Sequence, residues 1–223
     1  MSEETAASTT DGDDDIVHYP CPACGSPLYG WVAAHDPLHE GRKVVIDRCE
    51  NCRLAVTRAP APPDADAEVA ALLHDSSGEE VELDTANGAS VQAGIGGSQW
   101  AGLEPELRRL HLSPDASRRL LARRGIEVTD VSTPFGRDSY SLMRQTLINA
   151  FTFRDNFLRN GRAGLLPEPQ SGRDRWLTRL DSVVSVLVWV PCAVVAFPLE
   201  LAAATFGRGG RLVVRGKTGE GEG

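Results

Sequence analysis

The sequence predicts an α+β chain: a small zinc ribbon followed by a mainly helical region with a short antiparallel strand pair. Three observations carry this. Two C-x-x-C pairs, Cys21 with Cys24 and Cys49 with Cys52, sit in the first quarter of the chain. Residues 113–125 carry dense helix punctuation, and short apolar-alternating stretches at 126–131 and 211–215 read as strands.

Bulk properties bound the function. The chain has 223 residues, 41% hydrophobic and 24% charged, with a mean hydropathy of -0.22, the profile of a soluble protein long enough for one ordinary domain plus a small module, or for one domain with long insertions. A net charge of -8 disfavours nucleic acid as a partner, because binding a phosphate backbone needs clustered Lys and Arg. Only Lys43 and Lys217 are lysines. Five cysteines is an odd number, and no apolar run at the start resembles a signal peptide, so metal binding in a reducing cytoplasm is expected over disulfides.

The elements follow in order. Residues 1–17 are acidic and small and read as a disordered tail. Residues 18–57 form the ribbon, with Val44-Val45-Ile46 as a strand entering the second C-x-x-C. The Pro-rich stretch 58–66 and a short helix at 67–74 make residues 58–84 a linker segment, and 75–97 has little pattern. Ser113 as N-cap, Pro114 at N1, Asp115 in the first turn and Gly125 past the end specify a helix, which Ile126–Val131 follows as a half-buried strand. From Ser139 to Arg159, Met143, Leu147, Ala150, Phe151, Phe157 and Leu158 recur at helical spacing and predict one amphipathic helix with a core-facing stripe. Residues 211–215 read as a strand and 218–223 as a solvated tail.

In Cys21-Pro22-Ala23-Cys24-Gly25, the spacing lets two thiolates bind one ion while turn amides donate to the sulfurs, and Gly25 permits the positive φ such a turn favours. Cys49-Glu50-Asn51-Cys52 completes a tetrahedron, with Arg53 where glycine is commoner. The 24 residues between the pairs slightly exceed the usual ribbon separation of about 15 to 20. A shell of four thiolates has no open position, so zinc here is expected to be structural. A redox C-x-x-C is the rival, but it normally occurs once, at a helix start in a βαβ unit. His18, His35 and His39 read as loop histidines and Cys192 as a small buried hydrophobe.

Residues 182–199 carry no charge and as one helix would span about 27 Å, against a hydrocarbon core of about 30 Å. Pro191 and Pro198 interrupt that run and arginines flank both ends. The expectation is two buried or interfacial helices, with insertion into or across a membrane through 182–206 as the alternative.

Asn87-Gly-Ala-Ser90, Gly96-Gly-Ser-Gln-Trp100, His111-Leu-Ser-Pro114, the helix ending at Arg124-Gly-Ile126 and the closing Leu199-Glu200 with Gly209-Gly210 occur in an order that resembles class I S-adenosylmethionine-dependent methyltransferases with an N-terminal zinc ribbon. The likeness spans roughly 19–60 and 85–217, and Leu112 stands where the family has an aromatic. It implies that residues 85–217 are a remnant of a Rossmann-like C-terminal half. Between Cys52 and Asn87 there is no strand, acid and Gly-x-Gly loop of the cofactor half, so no cofactor-binding or catalytic residue carries over. The Gly94-Ile-Gly96-Gly97 cluster reads as a turn and His111 as a residue capping the approach to a helix. What the resemblance implies is a catalytically degenerate protein, or one whose S-adenosylmethionine domain comes from a partner chain; the alternative is a non-enzymatic zinc-ribbon adaptor docking on a membrane or protein.

Overall fold

The structure, a computed structural model, describes residues 19–35, 43–75, 79–104, 108–164, 166, 168–169 and 171–218. The expected tail at 1–17, His18 and His39 lie outside the described residues, as do 219–223. In chain order the strands are β1 (Leu28–His35), β2 (Lys43–Cys49), β3 (Ala55–Thr57), β4 (Leu73–Asp75), β5 (Glu80–Ala86), β6 (Leu110–His111), β7 (Ile126–Ser132) and β8 (Arg211–Thr218). The helices are α1 (Ala65–Leu72), α2 (Val91–Gly96), α3 (Pro114–Arg123), α4 (Arg137–Asn149), α5 (Phe157–Ala163) and α6 (Gly172–Thr205).

The fold is α+β, with two four-stranded sheets that are antiparallel throughout, in the orders β1-β2-β3-β6 and β4-β5-β8-β7. The first holds the cysteines. It takes its last strand, β6, from residues more than fifty positions downstream, with Ala55 opposite His111 and Val56 opposite Leu110. Its two faces alternate as a pleated strand requires: Val56 and Leu110 join Cys21, Cys49, Cys52 and Leu54 on one side, while Ile46 and Ala55 meet Trp100 and Leu103 on the other. The first side is continuous with Leu83, Leu212 and Val214 of the second sheet and with Leu120 and Leu121 of α3. One core therefore serves the ribbon and the second sheet.

The second sheet corrects the expectation of a strand pair in a mainly helical region. β5 lies in the stretch that reads as unpatterned, and pairs with β8 over seven positions, from Glu80 opposite Lys217 to Ala86 opposite Arg211. Its acids are matched across the ladder: Arg211 donates to both carboxylate oxygens of Asp84, and Arg215 reaches Glu82 at 2.9 Å. Neighbouring residues differ similarly. Gly94-Ile-Gly96 is the end of α2 rather than a turn, and only Gly97, at φ +52°, leaves the helix.

Two helical expectations also change. The helix read over 139–159 breaks into α4 and α5, because Asn149 stops it: its amide donates to Gln99 O at 2.8 Å, while its Oδ1 accepts from Asn156 N at 3.0 Å and Gln145 Nε2 at 2.8 Å. Conversely, the apolar run forms one uninterrupted helix of 34 residues, α6, with Pro191 and Pro198 inside it. Each proline removes one backbone bond, yet both rings sit on the exposed side. Packing against α4 and two buried acids hold the helix: Asp181 accepts from Phe153 N at 2.8 Å, and Glu200 accepts from Gly210 N at 2.8 Å and Gln92 Nε2 at 2.6 Å. Between α3 and β7, Gly125 at φ +72° makes the sharp exit that its sequence position predicts.

Candidate metal centre

The cysteines arrive on two knuckles of the same construction. In the first, Cys21 N donates to Ser26 O at 2.8 Å and Gly25 N to Cys21 O at 2.8 Å; in the second, Cys49 N donates to Leu54 O at 2.8 Å and Arg53 N to Cys49 O at 2.9 Å. The fifth residue of each turn is left-handed, Gly25 at φ +73° and Arg53 at φ +62°. Arg53 thus occupies a glycine conformation without being glycine. Arg53→Gly is expected to raise stability by about 1 kcal/mol by relieving the Cβ contact of that conformation, read as a higher melting temperature with unchanged metal content.

The four Sγ atoms all lie within 4.8 Å of one another, an arrangement that can hold a metal ion. Cys21 and Cys52 are 3.5 Å apart, as are Cys24 and Cys49, and Cys24 and Cys52 are 3.6 Å apart. A disulfide would bring sulfurs to about 2.05 Å, whereas four sulfurs around one ion at about 2.3 Å stand near 3.8 Å from each other. The separations fit the second geometry. Backbone amides point at the sulfurs as well: those of Ala23 and Cys24 serve Cys21, that of Ser26 serves Cys24, and that of Leu54 serves Cys52.

Charge at the site depends on an ion. Burial pushes the Cys21 thiol up to about 11 and the Cys52 thiol further still. At Cys24 burial acts the same way, but it is outweighed by the Ser26 hydroxyl and amide and by the neighbouring thiols, which bring it down to about 6. A dication that takes up four sulfurs here displaces protons and supplies the charge that the buried thiolates lack.

The centre is tied into the body. The Ser113 hydroxyl donates to Cys52 O and accepts from Ala116 N at 3.1 Å, so one side chain caps α3 and fixes the second knuckle. Arg123, at the other end of α3, donates to Pro22 O in the first. No sequence signal beyond the N-cap itself marks Ser113 for this second role.

The residues that suggested a methyltransferase come together as a structural joint. Asn87 donates to Gly209 O at 2.9 Å, Gly88 N donates to Leu112 O at 2.7 Å, and Ser90 caps α2. A Cβ at Gly210 would land inside the Gln92 amide. His111 is buried beside Thr57, at 3.3 Å, with its ring edge-on to Trp100. Burial, with help from Arg108, lowers its pKa to about 4, so it stays neutral near pH 7. Cys192 is buried on α6, as its reading as a small hydrophobe predicts. The charged cleft near β5 is self-neutralised, with Arg211 on Asp84, Arg159 on Glu104 and Arg108 donating to Thr85.

The second feature of the molecule is the surface of α6. Its buried edge consists of Asp181, Ser185, Cys192, Ala196, Glu200 and Ala203, polar or small at every position. Its outward side is Val183, Val186, Leu187, Val190, Val194, Val195, Phe197 and Leu201. The most apolar 18-residue window has a mean hydropathy of 2.2 and is 17% buried, and by length and composition this helix could cross a membrane. Against known proteins, no family model, no curated protein and no solved structure matches this chain.

Proposed function

We propose that this protein is a non-enzymatic adaptor, held together by a structural zinc ion on Cys21, Cys24, Cys49 and Cys52, that docks on a membrane through α6. The observation that carries the reading is the inverted amphipathicity of α6. A helix on the surface of a soluble protein puts its apolar stripe inward and its charges outward; α6 does the reverse, with Asp181 and Glu200 fully buried and Val186 and Leu187 each 70% exposed. An exposed apolar band of this size marks an interaction surface. The zinc reading rests on the four-sulfur geometry and on the absence of an open ligand position.

The methyltransferase-like reading, in which a partner chain supplies the S-adenosylmethionine domain, is the other proposal open to this chain. No feature among the described residues favours it: all strand pairing there is antiparallel, and a cofactor crevice of that family sits at the carboxyl ends of parallel strands.

Flotation of the zinc-loaded chain with lipid vesicles tests the docking. The wild type should rise with the vesicles, and Val190→Glu with Val194→Glu should reduce the bound fraction by about tenfold or more, since each buried valine is worth about 1.5 kcal/mol or more. Both positions face outward, so the variant should melt as the wild type does. A wild type that stays in the bottom fraction with every lipid composition sinks the reading.

A further inference from the structure

Resting on the membrane reading, we infer that α6 lies in the plane of one leaflet rather than across the bilayer, and that the leaflet it recognises is anionic.

Orientation follows from the buried edge. Asp181, Ser185, Cys192, Ala196, Glu200 and Ala203 are covered by the rest of the protein, and from Asp181 to Ala203 the helix rises about 33 Å. That exceeds the hydrocarbon core of about 30 Å. Every part of α6 apolar enough to enter lipid therefore has the polar body alongside it. The groups on that edge include Gln92 and the Gly210 amide at Glu200, the Phe153 amide at Asp181, and Tyr140, whose hydroxyl donates to Ala193 O at 3.2 Å. Arg144 stacks over Trp189 at 4.8 Å. A spanning helix would carry these groups into hydrocarbon; a helix lying flat presents only its outer side.

The width of that side distinguishes lipid from a second copy of the chain. A coiled-coil seam is narrow and flanked by charged positions that choose the partner. Here Val183, Val186, Leu187, Val190, Val194 and Val195 spread widely around the helix, and no charge occurs from Ser182 to Leu199.

The sign of the membrane follows from the rim. Residues 137–181 hold eight arginines against five acids, whereas the remainder of the chain holds fifteen basic residues against twenty-six acidic. Arg173, Arg175 and Arg179 are exposed on the first turns of α6 beside the exposed Trp176, and Arg208 is exposed just past its end. Exposed Phe153 lies at the Asp181 end of the apolar stretch, its amide donating to that carboxylate at 2.8 Å. Arginine and aromatic residues rimming an apolar helix face match an anionic headgroup layer, and the acidity of the rest of the chain turns other surfaces away from it.

Depth-resolved quenching tests both parts. Val183→Trp and Leu201→Trp are made separately in a Trp176→Phe, Trp189→Phe background; the two sites share the outer side and lie about 27 Å apart along the axis. Zinc-loaded protein is mixed with vesicles carrying brominated acyl chains, of phosphatidylcholine alone or with phosphatidylglycerol. The expected result is the same shallow depth at both positions, and binding at least tenfold tighter to the phosphatidylglycerol vesicles, weakening with salt. Depths that differ by most of the helix length would overturn the in-plane arrangement while leaving membrane docking intact. Equal binding to both vesicle types would overturn the anionic preference. No quenching at either position would remove the membrane reading itself, and a stable oligomer in buffer would then assign this side to a second copy.

Discussion

Replacing Cys52 by serine is expected to destabilise the whole chain in one transition, not the ribbon alone. Structural zinc supplies about 10–16 kcal/mol in small zinc modules, comparable with the entire stability of an ordinary domain, about 5–15 kcal/mol. Cys52 is fully buried, its carbonyl is held by Ser113 at the start of α3, and its neighbours in the core include Leu83 and Leu212 of the second sheet. If an ion sits on the four cysteines as proposed, losing it removes one wall of a core that both sheets share. Thermal melting followed by far-UV circular dichroism, with metal content measured in parallel, should show less than one metal ion per chain and a midpoint lowered by about 10 °C or more. An early local transition followed by a second at the wild-type temperature would mean that the ribbon is energetically separate.

Glu200→Ala should produce the next largest loss, about 3–5 kcal/mol. Its two carboxyl oxygens accept from Gly210 N and Gln92 Nε2, and the residue is fully buried. Alanine leaves both donors without that partner inside the core and opens a cavity beside them. Gln92 also donates to Ser139 O at 2.7 Å, so the loss reaches the start of α4. Glu200→Gln should cost less, about 1–2 kcal/mol, since one oxygen remains for Gly210 while an amide nitrogen now faces a donor. Urea midpoints order the three proteins; equal midpoints for Glu200→Ala and wild type would refute the account of how α6 is held.

What was legible in the sequence was local. The cysteine pairs, the Ser113–Gly125 helix and the strand after it announce themselves within a dozen residues, because knuckles, caps and left-handed exits are set by neighbours. β5 was not legible, since Glu82 and Asp84 are poor strand formers alone and the arginines that balance them lie about 130 residues later. The stop between α4 and α5 was hidden for the same reason, as Asn149 acts through Gln99, fifty residues earlier. α6 misled in the opposite direction. Two prolines argue for a break, but buried acids fix both ends of the apolar stretch, and the distant groups they accept from cannot be read from the stretch itself.

β8 is the last strand in chain order, yet it lies inside its sheet, between β5 and β7. During synthesis its two neighbours and the whole of α6 emerge first, and none of them can complete that sheet alone. Closure of the sheet is therefore a late, long-range event of the slow kind, and until it happens α6 has no finished body beside it. A chain truncated before Arg211 should be captured by chaperones, whereas one that includes Arg211–Thr218 should not.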